Sequence, residues 1–257
     1  HPDVARSLNN LGVIYDEKGD YGKAIEYYQR ALNIRLSTLG KNHPVVAGSY
    51  QNLGTFFETL GEYDKALEYI QESLEIQLKV LGDQHPDVAQ SYNNIGVNFD
   101  SKGEYDTAIE FYQKALEIRL KVLGDQHPDV AATYNNLGIS YGDKGEYDKA
   151  IVHCQKALQI FLITSGETHP NVAVFCDNIG NQYTNKGEYD KAIEYHRKAL
   201  QIFLENFGEE HPQVAGTYNN IGNAYNYTRE NDKAIEYYQK ALQIFLENFG
   251  EEHPQVA

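Results

Sequence analysis

Methionine is absent from the 257 residues. With no initiator and no secretory leader, the chain reads as a segment excised from a longer protein, with any targeting signal outside it. Cysteine is scarce. Cys154 and Cys176 fit no metal or redox spacing, which points to a reducing compartment, the cytoplasm. No run approaches the roughly 20 apolar residues of a membrane-spanning helix. Positive charge is short as well: 22 Lys and Arg face 37 Asp and Glu, a net charge of −15. Nucleic-acid partners are excluded on that ground, because phosphate binding needs clustered basic residues. A Gly-rich phosphate loop ending in Lys-Ser/Thr is also missing, so nothing here suits a nucleotide.

What is present is a strict period. His-Pro recurs at 1, 43, 85, 127, 169, 211 and 253, a step of 42 residues without slippage. A second motif follows each time: Asn9-Asn10-Leu11-Gly12, Gln51-Asn52-Leu53-Gly54, Asn93-Asn94-Ile95-Gly96, Asn135-Asn136-Leu137-Gly138, Asp177-Asn178-Ile179-Gly180 and Asn219-Asn220-Ile221-Gly222. Self-similarity of this kind fixes the architecture before any local propensity does. The units are residues 1–42, 43–84, 85–126, 127–168, 169–210 and 211–252, with 253–257 starting a seventh, all in one array.

Counting positions from each His, Pro at two suits a first helical turn. The apolar residues at four, eight, eleven and fifteen share one helical face, so helix A spans about positions two to eighteen. Gly at position nineteen ends it in five of the six units. Helix B is expected to start near Asp64, Asp106, Asp148, Asp190 and Asp232, acidic residues that suit a helix N-terminus. It should run to position 39, where Gly40, Gly82, Gly124, Gly166, Gly208 and Gly250 stop it. Gly at position twelve and Ala at 24 let the two helices approach closely. Each unit is thus a helical hairpin that buries its apolar faces on itself and its neighbours.

The residues Tyr134, Leu137, Gly138, Tyr141, Gly145, Tyr147, Ala150, Cys154, Ala157 and Leu158 resemble the tetratricopeptide repeat pattern, over the whole chain. The usual unit has 34 residues. The 42-residue variant, with its Leu-Gly-x2-His-Pro-x-Val-Ala junction, is similar to kinesin light chain repeats. The resemblance implies an all-α, right-handed superhelical solenoid of helix-turn-helix hairpins. It implies a non-enzymatic, protein- and peptide-binding scaffold without a cofactor. In that family helices A form a wall for extended peptides, and helix-A Asn residues contact the peptide backbone. The corresponding residues are Asn10, Asn52, Asn94, Asn136, Asn178 and Asn220.

The residues support a wall of this kind independently. With Leu137 taken as the core direction, positions six, nine, ten, thirteen, sixteen and seventeen turn away from the hairpin's own core. Asn93, Asn135, Val97, Ile139, Asn181 and Asn223 join the column as candidate contacts. Helices A about 10 Å apart would present one Asn per three residues of a peptide rising about 3.3 Å each. An amide both donates and accepts, so it can pair with any peptide backbone. The alternative is that these Asn residues brace neighbouring helices. Positions thirteen and sixteen grade from apolar and acidic (Val13, Asp16, Glu58, Val97, Asp100) to amides and hydroxyls (Asn181, Thr184, Asn223, Asn226). The ligand should therefore be neutral to basic. Arg6 is the one basic residue on this face, which argues against a clamp for a C-terminal carboxylate.

Other columns are structural by spacing. The His residues, one layer apart, cannot share one zinc, whose ligands lie about 2 Å from the metal; capping is their expected role. Cys154 and Cys176 replace core aromatics and should be inert. Tyr at positions fifteen and 21 should pack in the core. Phe161, Phe203 and Phe245 stand where earlier units carry Arg35, Gln77 and Arg119, and form either an exposed strip or a buried junction. In the sixth unit Thr228-Arg229-Glu230-Asn231 replaces Lys-Gly-Glu-Tyr, which predicts a looser turn. An uncapped seventh repeat would expose apolar surface and favour end-to-end self-association. A third reading is a sensor segment of a larger signalling NTPase.

Overall fold

The computed structural model describes residues 1–250. Its helices are α1 (Pro2–Glu17), α2 (Tyr21–Leu39), α3 (Pro44–Thr59), α4 (Tyr63–Leu81), α5 (Pro86–Ser101), α6 (Tyr105–Leu123), α7 (Pro128–Asp143), α8 (Tyr147–Ser165), α9 (Pro170–Lys186), α10 (Tyr189–Phe207), α11 (Pro212–Tyr227) and α12 (Asn231–Phe249). No strand occurs among the described residues. Two compact units divide the chain, His1–Gly124 with α1–α6 and Asp125–Ala257 with α7–α12. In both, odd and even helices pair as hairpins that pack in succession. The proposed seventh repeat, 253–257, lies outside the described residues.

The motifs act as local chemistry requires. Each described His of a His-Pro pair is an N-cap: its Nδ1 accepts the N–H two residues on, as in Asp87 to His85 at 3.1 Å and Asn171 to His169 at 3.1 Å. Helices B start one residue earlier than expected, at position 21, which is Tyr in five repeats and Asn231 in the sixth. The helical N1 slot falls there because the cap is position twenty, with Asp20 accepting from the Lys23 N–H at 3.2 Å. The stop glycines of helices B combine φ near +80° with ψ from 162° to 177°, a region that only glycine enters readily.

The A–B turns are closed by a recurring pair of bonds: Gly61 N–H to the Glu58 carbonyl at 2.9 Å and Glu62 N–H to Phe57 at 2.9 Å. The sixth turn keeps this geometry, with Arg229 N–H to Asn226 at 3.0 Å and Glu230 N–H to Tyr225 at 3.0 Å. Its departure lies in strain rather than in shape, because Arg229 takes φ +63°. A left-handed conformation costs an L-residue roughly 1–2 kcal/mol.

Gly at position twelve meets position 28 of its own hairpin. A Cβ on Gly96 would stand 2.7 Å from the Tyr112 ring, and one on Gly138 would collide with Cys154 Sγ. Position eleven behaves differently from its expected role. Ile95 clusters with Leu67 and Ile70, and Ile221 with Ile193, all on the preceding hairpin's helix B. Helix A is therefore rotated so that position eleven seals one repeat onto the one before it. Positions nine and ten consequently face the seam between neighbouring helices A.

A second regular feature is an aromatic column. Position fifteen stacks on position 27 in every hairpin: Tyr15 on Tyr27 at 5.3 Å, Phe57 on Tyr69 at 5.4 Å, Phe99 on Phe111 at 5.7 Å, Tyr141 on His153 at 5.3 Å, Tyr183 on Tyr195 at 5.6 Å and Tyr225 on Tyr237 at 5.6 Å. Offset stacking of this kind adds about 0.5–1.5 kcal/mol per pair beyond area burial. The Tyr residues at position 21 are less enclosed than core packing implies. Tyr21 is 48 % exposed and Tyr63, Tyr105, Tyr147 and Tyr189 are half-buried.

Candidate functional site: the seam between helices A

The conspicuous feature of the A-helix seam is a ladder of side-chain hydrogen bonds. Asn52 Nδ2 donates to Asn9 Oδ1 at 2.9 Å, Asn178 Nδ2 to Asn135 Oδ1 at 2.8 Å, and Asn220 Nδ2 to Asp177 Oδ2 at 2.8 Å. Position ten of one repeat is thus bound to position nine of the repeat before it. Each bond adds about 0.5–1.5 kcal/mol net and fixes the register of adjacent helices. An Asn amide carries a second N–H and two acceptor lone pairs. One rung bond leaves that remaining capacity on side chains that are half-buried at Asn52, Asn178 and Asn220.

The ladder changes where Gln51 occupies position nine. Gln51 Oε1 accepts from Ser91 Oγ at 3.2 Å, and Asn94 Oδ1 accepts from Gln90 Nε2 at 2.7 Å instead. The Gln51 Nε2 atom is buried with no hydrogen-bond partner. A neglected buried amide N–H costs about 1–3 kcal/mol. Beside it lies a cleft of about 230 Å³, lined by Gly48, Gln51, Gln90, Ile76 and Val80 among others. Gly48 at position six borders open space there: a Cβ on it meets nothing within 4 Å.

The remaining candidates are spread along the seam. Asn10 and Asn223 are exposed; Asn94, Asn135, Asn136, Val97, Ile139 and Asn181 are half-buried; Asn93 is buried. Asn223 Oδ1 accepts from the Tyr238 hydroxyl at 2.8 Å. In His1–Gly124 the seam also carries Glu58, whose carboxylate accepts from Asn98 Nδ2 at 3.0 Å. Burial raises the Glu58 pKa, and the Asn98 bond opposes that rise. Asp16 is raised too, by burial and then by Glu17.

One constellation escaped the sequence reading. His196 fills position 28 of the fifth repeat, fully buried against Gly180, and its Nδ1 lies 2.6 Å from Asp177 Oδ1. Asp177 therefore serves two partners, one per carboxylate oxygen: His196 and Asn220. An Asn has a single acceptor oxygen and could hold both only by donating its amide to His196 Nδ1, which moves the imidazole proton to the buried, unpartnered Nε2. The signal was available, since position nine and position 28 depart from the pattern within one repeat.

The cysteines behave as buried groups. Burial pushes the Cys154 thiol up to about 12 and the Cys176 thiol up to about 11, so neither offers a thiolate near neutral pH. Phe161, Phe203 and Phe245 are 6 %, 3 % and 7 % exposed, so they are buried and form no surface strip; Phe161 packs on Phe175 of the next helix A.

Models of the tetratricopeptide repeat match residues 4–45, 45–121, 101–162, 129–175, 175–247 and 213–257. The chain belongs to the tetratricopeptide repeat family. No curated protein is significantly similar to it. Among solved structures it resembles BtubC (BKLC) of P. vanneervenii, with 23 % identity, a TM-score of 0.72, and 97 % of this chain and 94 % of that one covered. A Podosopora anserina chain described as a kinesin light chain of nearly identical tetratricopeptide-like repeats shares 21 % identity at a TM-score of 0.69, covering 80 % and 98 %. The apo form of RapI shares 16 % at 0.71, covering 93 % and 97 %. At these identities the likeness speaks for the fold alone, all-α hairpins packed in succession; the repeat family is typically a non-catalytic scaffold for protein–protein interaction. No described helix is long and apolar enough to cross a membrane.

Proposed function

We propose that the chain holds an extended peptide along the helix-A seam, centred in His1–Gly124 on the cleft beside Gln51. The buried, unpartnered Gln51 Nε2 carries this reading. A peptide carbonyl would satisfy that donor, while a small apolar side chain would enter the cleft over Ile76 and Val80. Asn52 and Asn94 would supply further backbone contacts through the capacity their observed bonds leave unused. Asp16 and Glu58 on the same seam favour a neutral to basic ligand.

The test is a peptide-library selection on the native chain followed by titration of Gly48→Leu. A Cβ at position 48 meets nothing within 4 Å and Leu is a better helix former than Gly, so the variant should fold with unchanged or slightly raised stability. It should lose the selected peptides. Retained affinity in a folded Gly48→Leu variant would remove the cleft from the binding site.

A further inference from the structure

In Asp125–Ala257 the aromatic column has a gap. Position eight normally contributes a ring beside position 27. Tyr50 lies 6.2 Å from Tyr69, Tyr92 6.0 Å from Phe111, Tyr134 5.8 Å from His153 and Tyr218 5.9 Å from Tyr237. A lysine at position 30 covers that ring in three of these repeats: Lys114 over Tyr92 at 5.8 Å, Lys156 over Tyr134 at 5.0 Å and Lys240 over Tyr218 at 5.9 Å. The fifth repeat keeps the surroundings, Tyr195 at position 27 and Lys198 at position 30, but has Cys176 at position eight. A cleft of about 430 Å³ stands there, with Leu158, Leu162, Val172, Cys176, Tyr195 and Ile202 in its walls and Lys198 lining it as well. That volume is in the range of small-ligand sites.

We infer that this cleft is a receptor for an aromatic ring, and specifically for the tyrosine side chain of a partner peptide. The occupant is identified by the fold itself, which places a tyrosine at this position in four other repeats. The walls supply apolar area, Tyr195 supplies a ring to pack against, and the Lys198 ammonium already lies 5.1 Å from the Tyr195 ring centroid. An incoming ring would meet the same cation that the internal tyrosines meet elsewhere. Glu194 holds the Lys198 Nζ at 2.7 Å, which keeps the ammonium near the rim. The phenol hydroxyl would point outward to water, as suits a ring with one apolar body and one polar tip. The site is lined by α8, α9 and α10, so it stands or falls separately from the seam beside Gln51.

The test uses the 257-residue chain with p-cresol, the tyrosine side-chain analogue, followed by ligand-observed NMR. The expected result is saturable binding to the native chain and none to Cys176→Tyr, which supplies the missing ring from within. Lys198→Gln should weaken binding about two- to fivefold, the size of a cation–π contact. N-acetyl-tyrosinamide should bind as p-cresol does. Absence of p-cresol binding, or equal binding to a folded Cys176→Tyr variant, overturns the site. Binding of p-cresol but not of N-acetyl-tyrosinamide overturns the peptide-borne occupant. If Cys176→Tyr does not reach native helicity, methyl NMR of the native chain decides: p-cresol must shift the signals of Leu158, Leu162 and Ile202, which line the cleft, and leave that of Ile95 unchanged. Unshifted Leu158, Leu162 and Ile202 signals contradict the proposal.

Discussion

The two halves of the chain solve one junction problem by different chemistry. Position 35 of helix B meets the following helix A where α2 packs on α3, α4 on α5 and α8 on α9. In His1–Gly124 that meeting is polar: Arg35 donates to Ser49 Oγ at 2.6 Å and Gln77 pairs with Ser91 Oγ at 2.7 Å, while Arg119 turns back to Gln90 Oε1 of its own hairpin at 2.7 Å. In Asp125–Ala257 it is aromatic. Phe161 packs edge-on against Phe175 at 5.2 Å, and Phe203 and Phe245 are buried likewise. A hydrogen-bonded junction depends on direction and tolerates little change in its partner. An apolar junction depends on area and tolerates changes of shape. One backbone accepts both, so the repeat scaffold is set by its glycines, caps and small residues rather than by these contacts.

The comparison can be broken most sharply at Phe203. Phe203→Ala should cost about 3–5 kcal/mol, the usual loss for a buried Phe. Arg35→Ala, at a half-buried position, should cost about 1.5–3 kcal/mol through its hydrogen bond. Denaturant titration, resolved by hydrogen exchange in each half, measures both. Equal losses would mean that the two junction types are energetically interchangeable.

Asp177→Asn comes next, with an expected loss of about 1–3 kcal/mol, because an amide keeps both His196 and Asn220 only by putting the imidazole proton on the buried, unpartnered Nε2. Adding His196→Tyr should recover most of that loss. The first, third and sixth repeats already combine Asn at position nine with Tyr at position 28. A double-mutant cycle with additive losses would show the pair to be uncoupled.

His153 gives the halves different acid sensitivity. Burial first, then Lys156 and Lys149, lower its pKa from 6.5 to about 4. The folded state binds the proton less readily than the unfolded one. The neutral-His advantage is therefore complete above pH 6.5 and shrinks as the pH falls toward 4. Discounted for its partial exposure, the loss should be about 1 kcal/mol, absent in His153→Phe. Matching pH profiles for the two proteins would refute it. The smallest effect is a gain: Arg229→Gly should relieve about 1 kcal/mol of left-handed strain, seen as a higher melting temperature.

Much of this was legible in the sequence, and for physical reasons. A 42-residue period with His-Pro, Gly and Ala at fixed positions specifies caps, stops and close approaches, all of which are local. The way helix A is turned between its neighbours was less legible. Leu137 and its copies have the spacing of a hairpin's own core, yet Ile95 and Ile221 seal against the preceding hairpin. Periodicity within one repeat cannot distinguish these two faces. The rung from Asn52 to Asn9 spans neighbouring repeats, and only packed coordinates bring such partners together. Gln51, the departure that opens the seam, looked in the sequence like a conservative change.

The seam beside Gln51 is most directly tested by Gln51→Asn, titrated with a selected peptide and melted in parallel. Asn at position 51 restores the ladder, letting Asn94 donate to it as Asn52 donates to Asn9. The account predicts a gain of about 1 kcal/mol in stability together with a loss of peptide affinity. Raised stability with undiminished affinity would contradict it.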